Sequence, residues 1–255
     1  MLNFPKDPGP RHRLYETMVT SIYSQELSPG DSFIDLGANI GHHTWQMGQC
    51  VGSMGRGFAI EPVPDFAVRV EGVLNHKQID WVKVINVAAS DFDGEASFFV
   101  QPDHIGWSSM FSDHIFPGDT PEKAVEITVP VKKLDDEIDL SEAGPLAVIK
   151  VDVENAEFAA LRGCVNTIES QRPVVIFEND PDGAAQRSGY QPSDFLEMFV
   201  SRNYEVWSFH GDLISSGDAW SSSGSSYFLA SPNRLEAEGG LVGKYGLAAL
   251  VADFV

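Results

Sequence analysis

Short apolar runs alternate with longer amphipathic runs through most of this chain, and that alternation restricts the fold more than any other feature. Residues 32–36, 57–60, 82–88, 146–153 and 174–177 read as strands. Residues 41–51, 65–76, 156–170 and 192–202 read as helices from the spacing of their apolar positions. Strands separated by helical segments of this length require crossover connections, and so a parallel sheet. Val174-Val175-Ile176-Phe177 has no polar face, as expected of a strand covered by helices on both sides. Residues 204–209 and 226–230 add two final strands, so the pattern is α/β.

The remaining segments set the boundaries. Residues 1–12 carry three prolines and a glycine and read as an irregular arm. A helix over 13–27 follows, with Leu14, Met18, Val19 and Ile22 on one face. Residues 28–235 read as one domain, since no repeat or linker divides them. Within it, residues 93–134 interrupt the alternation: EASFFV and EITVPV flank a long loop, which predicts an antiparallel excursion carrying a lid-like or binding loop. The Ser- and Gly-rich stretch 210–226 reads as a hairpin connection. The tail 236–255 is expected to dock on the domain, with a subunit contact as the alternative.

Composition excludes several classes. The chain has 255 residues, 43% of them hydrophobic and 21% charged, a globular mix rather than a disordered one. Its formal net charge of -20 gives no background attraction to nucleic-acid phosphates or anionic lipid, so neither is expected as a partner. Cys50 and Cys164 lie far apart without a C-x-x-C pair, against a zinc ribbon or a disulfide scaffold. The first residues lack a secretory apolar region, and no run of about 18 apolar residues exists to span a membrane. A soluble cytoplasmic protein is the expectation.

The chemistry concentrates at Asp35-Leu36-Gly37-Ala38-Asn39-Ile40-Gly41, on a strand-to-helix turn. Glycine there permits unusual backbone angles and the close approach of a ligand, and the helix that follows offers free N–H groups. Glu61, followed by Pro62, closes the next strand, where a carboxylate can take two ribose hydroxyls. The turn is not G-x-G-x-x-G; it lacks the third glycine that packs a helix close for a pyrophosphate. That argues against NAD and a dehydrogenase, and for a ligand without phosphates.

Five blocks in order, SPGDSFIDLGANIGHHT, AIEPVP, INVAAS, VKKLDDEI and VIKVDVENAEFAALRG, resemble the FkbM family of S-adenosylmethionine-dependent methyltransferases over about residues 28–180, with continuation to about 230. The resemblance implies the class I methyltransferase fold, Rossmann-like: a seven-stranded, mostly parallel sheet with one antiparallel strand and helices on both faces. It implies S-adenosyl-L-methionine as cofactor and methyl transfer to a hydroxyl of a sugar, polyketide or similar small metabolite. Carried over by position, Asp35, Gly37, Ala38, Asn39 and Gly41 surround the cofactor's amino-acid end, and Glu61 with Pro62 holds the ribose. Asn86 and the residues after it, including Ser90, lie near the adenine. Asp152 stands beside the methionine portion. The Gly-x-x-Ser element of the family is matched by Gly106-Trp107-Ser108-Ser109. The block Asp-x-Glu-Gly-x-Glu has Asn155 in place of glycine, which still suits a helix N-cap or a left-handed backbone.

Methyl transfer is an in-line displacement with a neutral leaving group, so the protein mainly aligns the acceptor, and a base is needed only for the acceptor's proton. Asp152, Glu154 and His43 are the leading candidates, with Glu157, His104 and His114 behind them. His104, Trp107 and Ser108 are candidates for covering the acceptor. Magnesium is a weaker expectation, implied by a likeness to catechol-type methyltransferases that bind it with an Asp ending strand four and an Asp-Asn pair ending strand five: here Asp152 ends strand four and Glu178-Asn179 strand five, all with hard oxygen ligands. The same residues also allow simpler roles, as helix caps and loop hydrogen bonds. Transfer to nitrogen or a protein side chain, or an inactive cofactor-binding scaffold acting through a partner, are the alternatives. A homodimer is allowed by analogy with other small methyltransferases.

Overall fold

The structure is a computed structural model and describes residues 4–5, 8–252 and 254. The expected arm at residues 1–3, 6 and 7 lies outside the described residues. The first helix, α1, spans Pro8–Glu26 and therefore begins inside that arm rather than at residue 13. Proline is tolerated in a helix's first turn, where its missing N–H has no intrahelical partner to lose, so Pro8 and Pro10 start the helix instead of delaying it.

The alternation then unfolds as β1 (Ser32–Leu36), α2 (His42–Val51), β2 (Arg56–Ile60), α3 (Pro64–His76) and β3 (Val82–Ile85). β3 stops three residues short of the expected strand. The Asn86 side chain turns back there and donates from Nδ2 to the carbonyls of Glu61 (2.8 Å) and Pro62 (3.0 Å). Three strands follow in a separate small sheet: β4 (Ala88–Ala89), β5 (Gly94–Val100) and β6 (Val125–Lys132). β5 and β6 pair antiparallel from Gly94↔Val131 to Val100↔Val125. The chain returns to the main sheet through β7 (Leu146–Val151), β8 (Val174–Glu178), β9 (Glu205–Ser208) and β10 (Tyr227–Ser231).

The seven main strands run in the order β3-β2-β1-β7-β8-β10-β9. All pair parallel except around β10, which is antiparallel to both β8 and β9. The order reverses between β1 and β7, the point where open α/β sheets bind ligands beyond their carboxyl ends. Register sets what meets there: Leu36 sits opposite both Ile60 and Val151, and Asp35 opposite Lys150.

Two apolar layers sandwich the sheet. On one side α1 and α2 pack Leu14, Met18, Ile22, Met47 and Val51 against Phe33 and Val148. The tail forms helices Gly240–Tyr245 and Leu247–Ala252, whose Leu241, Tyr245, Leu247 and Val251 join that layer. On the other side Phe177, Phe195, Phe199, Trp220 and Phe228 form an aromatic core. Each such buried side chain contributes roughly 1.5–3 kcal/mol of transfer free energy.

Three local departures have clear causes. The single helix expected over 156–170 is two, Glu157–Arg162 and Val165–Gln171. The break falls at Gly163, which presses so closely on Ser90 that a Cβ there would stand 1.9 Å from the Ser90 carbonyl oxygen. A helix at Pro181–Ser188, capped by the Asp180 side chain, occupies the segment after β8. In the Ser/Gly-rich connection, Leu213 bridges to Trp207 and a short helix forms at Gly217–Ser221. No helix among the described residues is long and apolar enough to cross a membrane.

Candidate functional site

A cleft of about 980 Å³ opens at the carboxyl ends of β1, β2, β7 and β8. One wall is the turn after β1. Gly37 and Gly41 take φ of 76° and 83°, and Asn39 a φ of 50°. Gly37 could not be another residue: a Cβ there would lie 1.8 Å from the Asp152 carbonyl oxygen. Gly37 and Ala38 both donate their N–H to the Ile60 carbonyl (3.0 Å each), which ties this turn to the end of β2.

Asp35 is fully buried beneath the turn and does not line the cleft. Its Oδ2 accepts from Thr44 Oγ1 at 2.6 Å, and its Oδ1 lies 3.4 Å from Lys150 Nζ. Lys150 is itself buried, stands 3.5 Å from Asp152 Oδ2, and donates to the Gly37 carbonyl at 3.3 Å. Burial opposes the Lys150 charge, yet Asp35, Asp152 and Glu16 outweigh it and hold the amine protonated above its ordinary range. Asp35 thus braces the turn through a buried cation.

Glu61 faces the cleft beside that turn. Its Oε2 accepts from the Asn39 N–H at 2.8 Å and its Oε1 from the Val63 N–H at 2.9 Å, so its orientation is fixed by the backbone. Burial, seconded by the Asp35 charge, pushes its carboxyl up to about 7 against the pull of those two N–H groups. Asn86 and Ser90 do not line the cleft; the intervening Val87, Ala88 and Ala89 do. Asn86 instead buttresses the Glu61-Pro62 turn, and Ser90 supports Gly163 and donates its N–H to Lys132.

The opposite wall is rich in carboxylates. Asp152, Glu154, Glu157 and Glu178 all line it, as does Glu16 from α1. Burial raises Glu157 to about 7 and lifts Glu154 and Glu178 well above the usual carboxylate range, each pushed further by Asp152. Glu154 and Asn155 are consecutive left-handed residues, with φ of 54° and 79°, and this kink aims the segment after β7 across the cleft. Asn155 uses the left-handed alternative; Ala156 occupies the helix N-cap.

His43 lines the cleft, but both ring nitrogens are engaged: Nε2 with Glu16 at 2.9 Å and Nδ1 with the Tyr23 hydroxyl at 3.3 Å. Burial works against the Glu16 charge, and the hydrogen bond and charge of His43 overcome it, holding Glu16 down at about 2. Trp107 and Ser108 line the cleft from the loop between β5 and β6, while His104 does not. His104 stacks on Phe116 (centroids 3.5 Å apart) and stands 3.5 Å from Asp119. Asn179 spends its Nδ2 on Tyr190 and Glu157. Among the described residues no group of three His, Cys, Asp or Glu side chains is arranged to hold a metal ion, so the magnesium expectation at Asp152, Glu178 and Asn179 gains no support.

Sequence reasoning did not single out Glu16, Lys150, Asn155 as a side-chain partner, or Arg187. Lys150 carried a signal, a lone cation inside an apolar strand. Glu16 carried none, because its link to His43 and to the Tyr227 hydroxyl (3.1 Å) exists only in the fold.

Comparison with known proteins fits this geometry. Among solved structures, a methyltransferase FkbM from Methylobacillus flagellatus KT superposes with a TM-score of 0.50 at 16% identity, over 83% of this chain and 50% of that one. A putative rRNA-methylase from Clostridium thermocellum (TM-score 0.47, 11% identity, 84% and 92% coverage) and a SAM-dependent O-methyltransferase from Thermotoga maritima (0.42, 13%, 91% and 68%) are also similar. At such identities the likeness concerns the fold alone, and this chain spans half the length of the Methylobacillus structure. A search of curated proteins found no significant relative. The sequence profile described as the Methyltransferase FkbM domain matches residues 35–207, well over half of the chain and the span that builds most of the cleft. The chain belongs to the FkbM methyltransferase family.

Proposed function

We propose that this chain is an S-adenosylmethionine-dependent methyltransferase acting on a hydroxyl of a small metabolite. The observation that carries the reading is the pairing of Glu61 with the turn after β1 at the sheet's switch point, facing a cleft at the upper end of ordinary ligand-pocket volumes. The residues present fit the cofactor. Among the described residues Asn39 Oδ1 is buried without a hydrogen-bond partner at the cleft wall, an acceptor for a ligand's N–H or O–H. Glu61 is oriented for ribose hydroxyls, Val87 to Ala89 offer an apolar wall for the adenine, and Asp152 with the 37–41 turn takes the amino-acid end.

When bound, the cofactor supplies a methyl group on a sulfonium, whose departure leaves a neutral thioether. The chain's own task is to hold the acceptor in line and to take its proton. Trp107 and Ser108 close over the acceptor's side of the cleft, and the carboxylates after β7 supply the base. A nitrogen acceptor is the second reading, favoured by the excess of carboxylates over cations along that wall. Either acceptor is a small molecule rather than nucleic acid, given the charge of the chain.

The test is a calorimetric titration of the purified chain with S-adenosylhomocysteine, with and without Mg²⁺, alongside Glu61→Ala. One-site binding, unchanged by Mg²⁺ and lost in the variant, is expected. Absence of binding at millimolar ligand would overturn the reading and bring forward the scaffold alternative.

A further inference from the structure

The loop between β5 and β6 delivers one side chain whose ring is engaged on both nitrogens and on one face. His114 is buried, with its ring stacked on Trp107 (centroids 4.9 Å apart, planes 11° apart) and its carbonyl held by Gln101 Nε2 at 2.7 Å. Its two ring nitrogens meet consecutive residues of the left-handed kink: Nε2 lies 2.8 Å from Glu154 Oε2, and Nδ1 lies 2.9 Å from Asn155 Nδ2. Ser109 Oγ adds a 2.6 Å bond to the Glu154 carbonyl, so loop and kink are fastened at several points.

The direction of each bond follows from donor chemistry. Arg187 has only donors, and its guanidinium NH1 stands 3.3 Å from Asn155 Oδ1. That contact fixes which end of the Asn155 amide faces the arginine, and turns the NH₂ toward His114. A ring nitrogen that receives an N–H must be unprotonated, so Nδ1 is bare. In the neutral ring the proton is then on Nε2, which donates to Glu154.

We propose that Asn155 is a positioning residue: its amide holds His114 in the Nε2–H tautomer, and that N–H favours the ionised form of Glu154 as the base for the acceptor's proton. The inference rests on the transferase reading above. As the acceptor oxygen bonds to the methyl carbon, the carbon–sulfur electron pair stays with sulfur and the acceptor's proton passes to the Glu154 carboxylate. In the opposite tautomer Nε2 would be bare, and Glu154 could meet it only by carrying a proton itself, which removes the base.

The surroundings make this control necessary. Burial raises Glu154 first, and Asp152, Glu178 and Glu157 push it further, with Lys150 opposing them. His114 is held down to about 4 by burial and then by Arg187, against Asp113 and Asp180, so the ring is neutral over the working range and its tautomer decides the outcome. Arg187 is in turn 3.3 Å from Asp113.

The test needs no acceptor. Long-range ¹H–¹⁵N spectra of the labelled chain report the tautomer of each of its seven histidines, with His114 assigned by its loss in His114→Gln. Carboxyl ¹³C shifts report the Glu154 titration. Asn155→Gly is a mild probe, because the φ of 79° suits glycine. His114 is expected as Nε2–H in the parent and as a mixture or Nδ1–H in Asn155→Gly, with the Glu154 titration moving up by about one to two pH units. His114→Ala should move Glu154 by a similar amount, and His114→Gln, whose amide can still donate, should move it back toward the parent. An Nδ1–H tautomer in the parent, or a Glu154 titration unmoved in Asn155→Gly and His114→Ala, overturns the proposal. Calorimetry with S-adenosylhomocysteine on the same samples separates the two levels: a parent that fails to bind it overturns the transferase reading instead.

Discussion

Replacing Lys150 with methionine removes the cation wedged between Asp35 and Asp152. Asp35 is 0% exposed and Lys150 6% exposed, so solvent screens little of their interaction. The Asp35 contact at 3.4 Å is ionic rather than a directed hydrogen bond, leaving Thr44 as the hydrogen-bond donor on the other oxygen. Methionine fills a similar volume, so the cost is electrostatic: a buried carboxylate left without its counter-charge. Removing one partner of a buried pair typically costs about 3–5 kcal/mol. For a chain of this size that lowers the thermal midpoint by roughly 6–20 °C. Circular dichroism melts of the ligand-free parent, Lys150→Met and Lys150→Met with Asp35→Asn would measure it. The double variant should recover at least about 1 kcal/mol, because the orphaned charge is gone. A Lys150→Met midpoint within about 2 °C of the parent would refute the idea that this cation supports the turn after β1.

Two further predictions follow from burial. The carboxyls of Glu61 and Glu157 lie near 7 in the fold, against about 4.3 in an unfolded chain, and Glu154 and Glu178 are raised as well. Between those values the folded chain binds more protons than the unfolded one, so stability is present at low pH and lost as pH rises through about 7. His114, depressed to about 4, and His42 and His210, which burial also lowers, work in the opposite sense, three groups against four. The ligand-free thermal midpoint should therefore rise between pH 7.5 and 5.5, and a fall over that interval would contradict the burial assigned to these carboxyls. Gly163→Ala drives a methyl against the Ser90 carbonyl and should cost about 1–3 kcal/mol in a urea titration, whereas Gly72→Ala, with open space around it, should cost nothing.

The sequence made the strand-to-helix turns legible because their signals are local. Gly37, Asn39 and Gly41 declare an unusual backbone by residue type, and Glu61 is found by counting one crossover forward. What it concealed are partnerships between distant segments. Glu16 reaches His43 only because α1 lies against α2, and Asn155 meets His114 only because the excursion folds back over β7. The limits of β3 escaped notice because the residue that ends it, Asn86, does so by bonding to the end of another strand. The same long-range logic moved His104 out of the cleft: its ring found Phe116, twelve residues away, a flat neighbour that spacing does not reveal.

The contact between Gly37 and the Asp152 carbonyl has a mechanical meaning. Two turns that belong to different crossover units touch with no side chain between them, and Lys150 clamps both from below. Neither turn can shift without displacing the other. Whatever settles against residues 37–41 therefore presses on residues 152–155, and the two halves of the cleft behave as one rigid jaw rather than as neighbouring sites that adjust separately.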